Sequence, residues 1–191
     1  MSGLKTSNKN NFFLNYKLHF VFLSTIIFTL YLYTSSNNYG YDDEFATINI
    51  IENLDFLSMV KWLQTNDIHP PLSYLIDKIL FNIFRRWVLV RIFISSLLVS
   101  SIFYLAYKKY QFSTKSSLLL LFLGFDPGVL MWGTSIRWQS YFIIVICWFL
   151  VVPNVKSNWF YFKQIIGLTI LCYTGYVGII LIPPLFLLYN A

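Results

Sequence analysis

Apolar residues fall into five runs separated by polar stretches: Leu18 to Thr34, Trp87 to Tyr107, Ser116 to Trp132, Ile136 to Val152 and Ile165 to Tyr189. An α-helix needs roughly 20 residues, at about 1.5 Å each, to cross the hydrocarbon core of a bilayer. The runs approach that length and carry few charges, so the pattern predicts an all-α integral membrane protein with about five transmembrane helices, the fourth the least well marked.

The stretch from Ser35 to Arg86 has a shorter, amphipathic rhythm. Asp42 or Asp43 is placed to cap a helix with Phe45, Ile48, Ile51 and Leu54 along one edge. Asp55 is placed to cap a second, with Phe56, Met59, Val60 and Leu63 at helical spacing. After Pro70 and Pro71 a third carries Leu72, Leu75, Ile76, Ile79, Leu80, Ile83 and Phe84 on one face and Ser73, Asp77, Lys78 and Asn82 on the other. Short amphipathic helices beside membrane spans are expected to lie flat on the outer membrane surface, holding polar residues at the bilayer boundary. No internal repeat or Gly/Ser linker divides the chain, so residues 1–191 read as a single membrane domain.

Composition agrees: 57% of residues are hydrophobic and 12% charged, with a mean hydropathy of +0.61. A soluble globular domain carries about 25% charged residues. The formal charge of +6 does not indicate a nucleic-acid partner, because the basic residues sit between apolar runs and form no basic face with interleaved aromatics. Cys147 and Cys172 both lie inside apolar runs and suggest neither a disulfide framework nor a metal site.

Charge sets an expected orientation. Lys and Arg accumulate in short cytoplasmic loops. Lys5, Lys9 and Lys17 precede the first run with no acid among them, which places the N-terminus in the cytoplasm. A cleaved secretory signal would share that basic start, but the apolar run is longer than a typical signal core and no small-residue cleavage site follows, so an uncleaved anchor is preferred. Five alternating spans then put eight lysines and no acid inside, and all eight carboxylates outside with six bases. Seven of those acids fall in the Ser35–Arg86 loop, which becomes an acidic extracytoplasmic loop of a multi-pass protein in a plasma or inner membrane.

Within that loop Asn66-Asp67-Ile68-His69-Pro70-Pro71-Leu72 reads as a rigid elbow, since residues before proline are pushed to extended geometry and proline suits a first helical position. It presents Asp67 and His69, though a stiff turn with a solvated histidine has the same sequence. Ionisable residues are nearly absent from the span interiors, which argues against a transporter.

These features together resemble the membrane glycosyltransferases of GT-C type. The likeness is to the protein O-mannosyltransferase group and the related bacterial enzymes that use polyprenyl-phosphate sugars. The Asp43-Glu44 pair after the first span and the D-x-H-P-P-L segment Asp67 to Leu72 are similar to the family's first extracytoplasmic loop. Arg91 with Ser95 and Ser96, then Asp126-Pro127 followed by Arg137, resemble later family segments, as do Tyr173-Thr174-Gly175-Tyr176 and Pro183-Pro184. The match departs at Ser135 and Gln139, where the family has Glu and Tyr, and at Ser73, a Gly in the eukaryotic version.

The resemblance implies transfer of a hexose or pentose from a polyprenyl-phosphate-linked donor to a hydroxyl of an acceptor glycan, lipid or protein, with no cofactor and no metal. It makes Asp43 the base and Glu44 a group that orients it or binds the acceptor. Asp67 and His69 would shape the sugar or acceptor pocket, and Arg91 and Arg137 would meet the leaving phosphate. A divalent cation on the Asp42–Glu44 acids is the weaker alternative. The likeness covers only the N-terminal half of a typical member, so the 191-residue chain is expected to need a C-terminal half or a second chain, or to be a non-catalytic relative.

Overall fold

The computed structural model describes residues 4–37, 42–66, 71–136, 138–151, 162, 165–170 and 173. Among these the chain is helical, with no strand: α1 Leu4–Asn37, α2 Asp42–Asn53, α3 Phe56–Asn66, α4 Leu72–Phe84, α5 Trp87–Tyr110, α6 Thr114–Phe125, α7 Pro127–Gly133 and α8 Trp138–Val151. Two helices are long and apolar enough to cross a membrane, the 22-residue Tyr16–Asn37 part of α1 and the 24-residue α5. A third candidate is α6 taken together with α7. The apolar part of α8, Trp138–Trp148, is shorter than a span. The described residues thus hold two candidate spans, or three with the bent pair, against the five expected, and most of the fifth run lies outside the described residues.

Local chemistry explains the breaks. The run from Ser116 to Trp132, read as one span, is bent by 64° between α6 and α7. Asp126 precedes a proline and adopts extended geometry (φ −61°, ψ 122°), which ends α6. Its carboxylate then accepts the Val129 N–H at 2.8 Å and caps α7, with Pro127 at the first turn. Ser113 and Ser116 form a reciprocal cap at the start of α6. Asp55 caps α3 as the sequence suggested, accepting the Ser58 N–H at 2.8 Å and its hydroxyl at 2.9 Å. Those bonds to Ser58 hold the Asp55 carboxyl below its ordinary pKa.

α5 is the centre of the bundle and packs against α1, α4, α6 and α8. It runs antiparallel to α1. Ser35 meets Ser95 at one end, and Phe20 meets Phe112, just past α5, edge to face at 5.5 Å at the other. Ile27 and Tyr31 of α1 sit among Leu98, Val99 and Ile102 of α5 and Leu120 of α6, all buried. Gly124 and Gly133 let α6 and α7 approach α1: a Cβ on Gly124 would lie 2.5 Å from Ile27 Cδ1, and one on Gly133 2.8 Å from Tyr31 Cε1.

Helices α2 to α4 gather at the Ser35–Ser95 end around a small core of Ile51, Met59, Leu63 and Tyr74. The polar edge of α4 is divided: Ser73 and Asp77 are buried and Asn82 is exposed, while Ile79 and Ile83 on the apolar face are 49% and 65% exposed. Protein partners explain the burial. Tyr141 of α8 donates to Asp77, and Lys78 Nζ donates to the Ile51 and Leu54 carbonyls that the end of α2 leaves open.

Candidate functional site

Glu44 lies in the first turn of α2 and is fully buried. Its Oε1 accepts from Arg91 Nε at 2.8 Å and from the Ile136 backbone N–H at 2.9 Å. Arg91, in the second turn of α5, is 6% exposed. Two charges withdrawn from water are tolerable only together, because either alone would forfeit its hydration with nothing in return. The pair therefore fastens three segments distant in sequence: α2, α5 and the turn between α7 and α8.

One helical turn further along α5, Ser95 donates to the Gly133 carbonyl at 2.5 Å. Its single proton is thereby committed, so in the 2.5 Å contact with Ser35 the latter is the donor. Arg91 and Ser95, at i and i+4, thus share the face of α5 that holds the α7–α8 turn, Ser95 directly at Gly133 and Arg91 through Glu44 at Ile136. Ser140 completes the turn by donating to the Trp132 carbonyl.

Beside this knot Asp77 and Tyr141 form a second buried contact, with the phenol donating. Burial pushes the Asp77 carboxyl up to about 8, the Tyr141 hydrogen bond opposes the shift, and the negative charge of Glu44 adds to it. Asp77 is accordingly mostly a neutral acid at pH 7. Glu44 Oε2 has no hydrogen-bond partner among the described residues although it is buried.

Of the residues singled out in the sequence, Glu44 and Arg91 are brought into direct contact. Asp43 precedes Glu44 in the first turn of α2, with its side chain outside the described residues. Asp67, His69 and Arg137 also lie outside them. Glu44 is held as an acceptor by Arg91 and Ile136, which leaves only Oε2 for any further contact. Sequence reasoning missed the Asp77–Tyr141 contact. An acid four residues after Ser73 on an otherwise apolar helix was the only local hint, since Tyr141 sits in an apolar run 64 positions away.

A separate cavity of about 330 Å³ opens between the end of α1 and α7, lined by Tyr33, Thr34, Asn37, Pro127, Leu130, Met131 and Thr134. It is mainly apolar and includes neither Glu44 nor Arg91. Comparison of the chain with protein-family models, with curated proteins and with solved structures finds no match.

Proposed function

We propose that the chain is a multi-pass membrane glycosyltransferase of GT-C type, or the N-terminal part of one. In this reading the N-terminus is cytoplasmic and α2 to α4 lie at the extracytoplasmic face of a plasma or inner membrane. The observation that carries the reading is the convergence at Glu44. The Asp43-Glu44 pair, the Arg91–Ser95 face and the turn leading to Arg137 are three of the segments that carry the resemblance, and they are far apart in sequence. Glu44 and Ser95 tie them to one another. Nothing in helix packing as such requires a carboxylate, an arginine and a turn amide to share one buried point.

The reaction would be an inverting displacement. The acceptor oxygen bonds to the anomeric carbon as the bond from that carbon to the phosphate oxygen breaks. The hydroxyl proton passes to Asp43, and the electron pair leaves with the polyprenyl phosphate. Glu44 holds Arg91 in place, and Arg137 meets the developing phosphate charge. The test is transfer from radiolabelled polyprenyl-phosphate hexoses and pentoses to membrane acceptors by the chain reconstituted in vesicles with membrane extract, which supplies the second chain or C-terminal half that the resemblance calls for. Label incorporation above that of extract-treated vesicles lacking the chain supports the reading.

A second reading, a non-catalytic subunit, is favoured by one observation: Glu44 and Arg91 are closed on each other, and the 330 Å³ cavity lies elsewhere. It predicts no incorporation from any donor, by the chain alone or with membrane extract added.

A further inference from the structure

The corner between α4 and α5 carries two adjacent arginines, Arg85 and Arg86, both exposed. Arg85 turns the chain with a left-handed backbone (φ 57°), and Arg86 is the extended residue before α5. Neither makes an ion pair among the described residues. The nearby acid Glu52 accepts from Trp87 Nε1 at 2.6 Å instead. The pair is thus a local excess of positive charge without a counter-charge among the described residues.

Its position fixes the medium around it. α5 is a candidate span from its first residue, Trp87, so the two residues before it stand at the depth where hydrocarbon gives way to head groups. An exposed apolar surface runs through the same corner. Ile79 and Ile83 of α4 are exposed, Phe84 contacts Phe93 of α5 at 5.4 Å between ring centroids, and Val88 and Leu89 continue the surface on α5. The exposed apolar residues of α4 and of the span thus flank the two arginines on either side. Arginine planes match phosphate oxygens in pairs, and their stems tolerate apolar surroundings.

We infer that this corner is a docking site for an anionic phospholipid of the bilayer, its phosphate held by Arg85 and Arg86 and its acyl chains laid against Ile79, Ile83 and the Phe84–Phe93 contact. The inference needs α5 to cross a membrane and does not depend on glycosyl transfer. It also accounts for a basic pair on the side of the membrane to which the charge pattern assigns the acids. A lipid phosphate supplies the missing counter-charge.

The test uses the full chain in nanodiscs of phosphatidylcholine with a minor fraction of phosphatidylglycerol, followed by native mass spectrometry of the lipids retained after release. The wild-type chain should retain phosphatidylglycerol well above its share of the disc. One basic residue near an anionic surface is worth about fivefold in binding, so Arg85→Gln with Arg86→Gln should lower that retention about tenfold or more. The double lysine variant should keep most of it, and Lys61→Gln, on exposed α3, should change nothing. Thermal unfolding of the glutamine variant should match wild type, because both side chains are exposed. Phosphatidylglycerol retention equal to bulk composition in the wild type, or undiminished in the glutamine variant, overturns the assignment. So does preferential retention of added polyprenyl phosphate over phosphatidylglycerol.

Discussion

Glu44 and Arg91, 47 positions apart, share a hydrogen-bonded ion pair of 2.8 Å in which neither side chain is more than 7% exposed. The same Glu44 oxygen holds the Ile136 amide, so the pair is the point at which α2 and the α7–α8 turn are both referred to α5. Removing one partner breaks a buried ion pair. Glu44→Gln keeps an acceptor for Ile136 but takes the Glu44 charge away from a buried guanidinium, and breaking a buried pair typically costs about 3–5 kcal/mol. The expected outcome is a large loss of stability in Glu44→Gln and a smaller loss in Glu44→Gln with Arg91→Met, measured by unfolding in detergent micelles. Additive losses in the double variant would mean that the two side chains act independently.

Asp77 predicts a pH dependence of definite sign. Its carboxyl titrates near 8 in the fold against an ordinary 3.8, so the folded state binds the proton more tightly than the unfolded state. The corresponding contribution is fully present below about pH 4, is lost progressively as pH rises toward 8, and is flat above. Stability measured between pH 4.5 and 8.5 should therefore contain a falling component that Asp77→Asn abolishes. Tyr141→Phe, which removes the donor to Asp77, should carry the fall to higher pH. Identical profiles for wild type and Asp77→Asn would show that Asp77 ionises freely.

The contact of α6 with α1 gives a packing prediction. A methyl group at Gly124 would lie 2.5 Å from Ile27 Cδ1 and 2.8 Å from Ile27 Cγ1, and Ile27 is fully buried. β-Branched side chains have little freedom to rotate away in a helix. Gly124→Ala should destabilise by about 1–3 kcal/mol, and the double variant with Ile27→Ala should lose less than the sum of the two single losses. Equal stabilities of the wild type and Gly124→Ala would mean that α1 and α6 separate without cost.

Several elements could be read from the residues because their causes are local. Asp55 caps α3 through a side chain three positions from its target, and α5 is an apolar run without Gly or Pro. The 64° bend was written in Asp126-Pro127 as well, but apolar residues on both sides made the run look continuous. The facing of α4 was not legible. An amphipathic pattern separates two faces but does not say which medium each one meets, and Tyr141 and the end of α2, which bind Asp77 and Lys78, are remote in sequence. The Glu44–Arg91 pair lay hidden for the same reason. Each residue was suspected separately, and only the fold brings them together.

The orientation read from charge has a direct test. Ser58 on α3 and Lys109 near the end of α5 are both exposed and lie at opposite ends of the bundle. With the N-terminus in the cytoplasm, Ser58→Cys should react with an impermeant thiol reagent added to intact cells, and Lys109→Cys should react only after permeabilisation. The reverse pattern would place the acidic loop in the cytoplasm and remove the proposed site from the side where polyprenyl-linked sugars are used.

The proposed chemistry separates two neighbouring carboxylates by role. Glu44 is held by Arg91 and Ile136, so its loss should act through folding, while Asp43, one residue earlier in the first turn of α2, is the proposed base. Asp43→Asn changes shape little. If Asp43 takes the acceptor proton, turnover in the reconstituted vesicle assay should fall by about two orders of magnitude or more, the usual worth of general base catalysis, with thermal stability close to wild type. Asp42→Asn should cost much less. Glu44→Gln should lower stability and activity together, and a variant re-stabilised by Arg91→Met should recover stability ahead of turnover. Full turnover in a folded Asp43→Asn chain would remove Asp43 from the chemistry, whereas absence of transfer in every variant and in the wild type would support the non-catalytic reading.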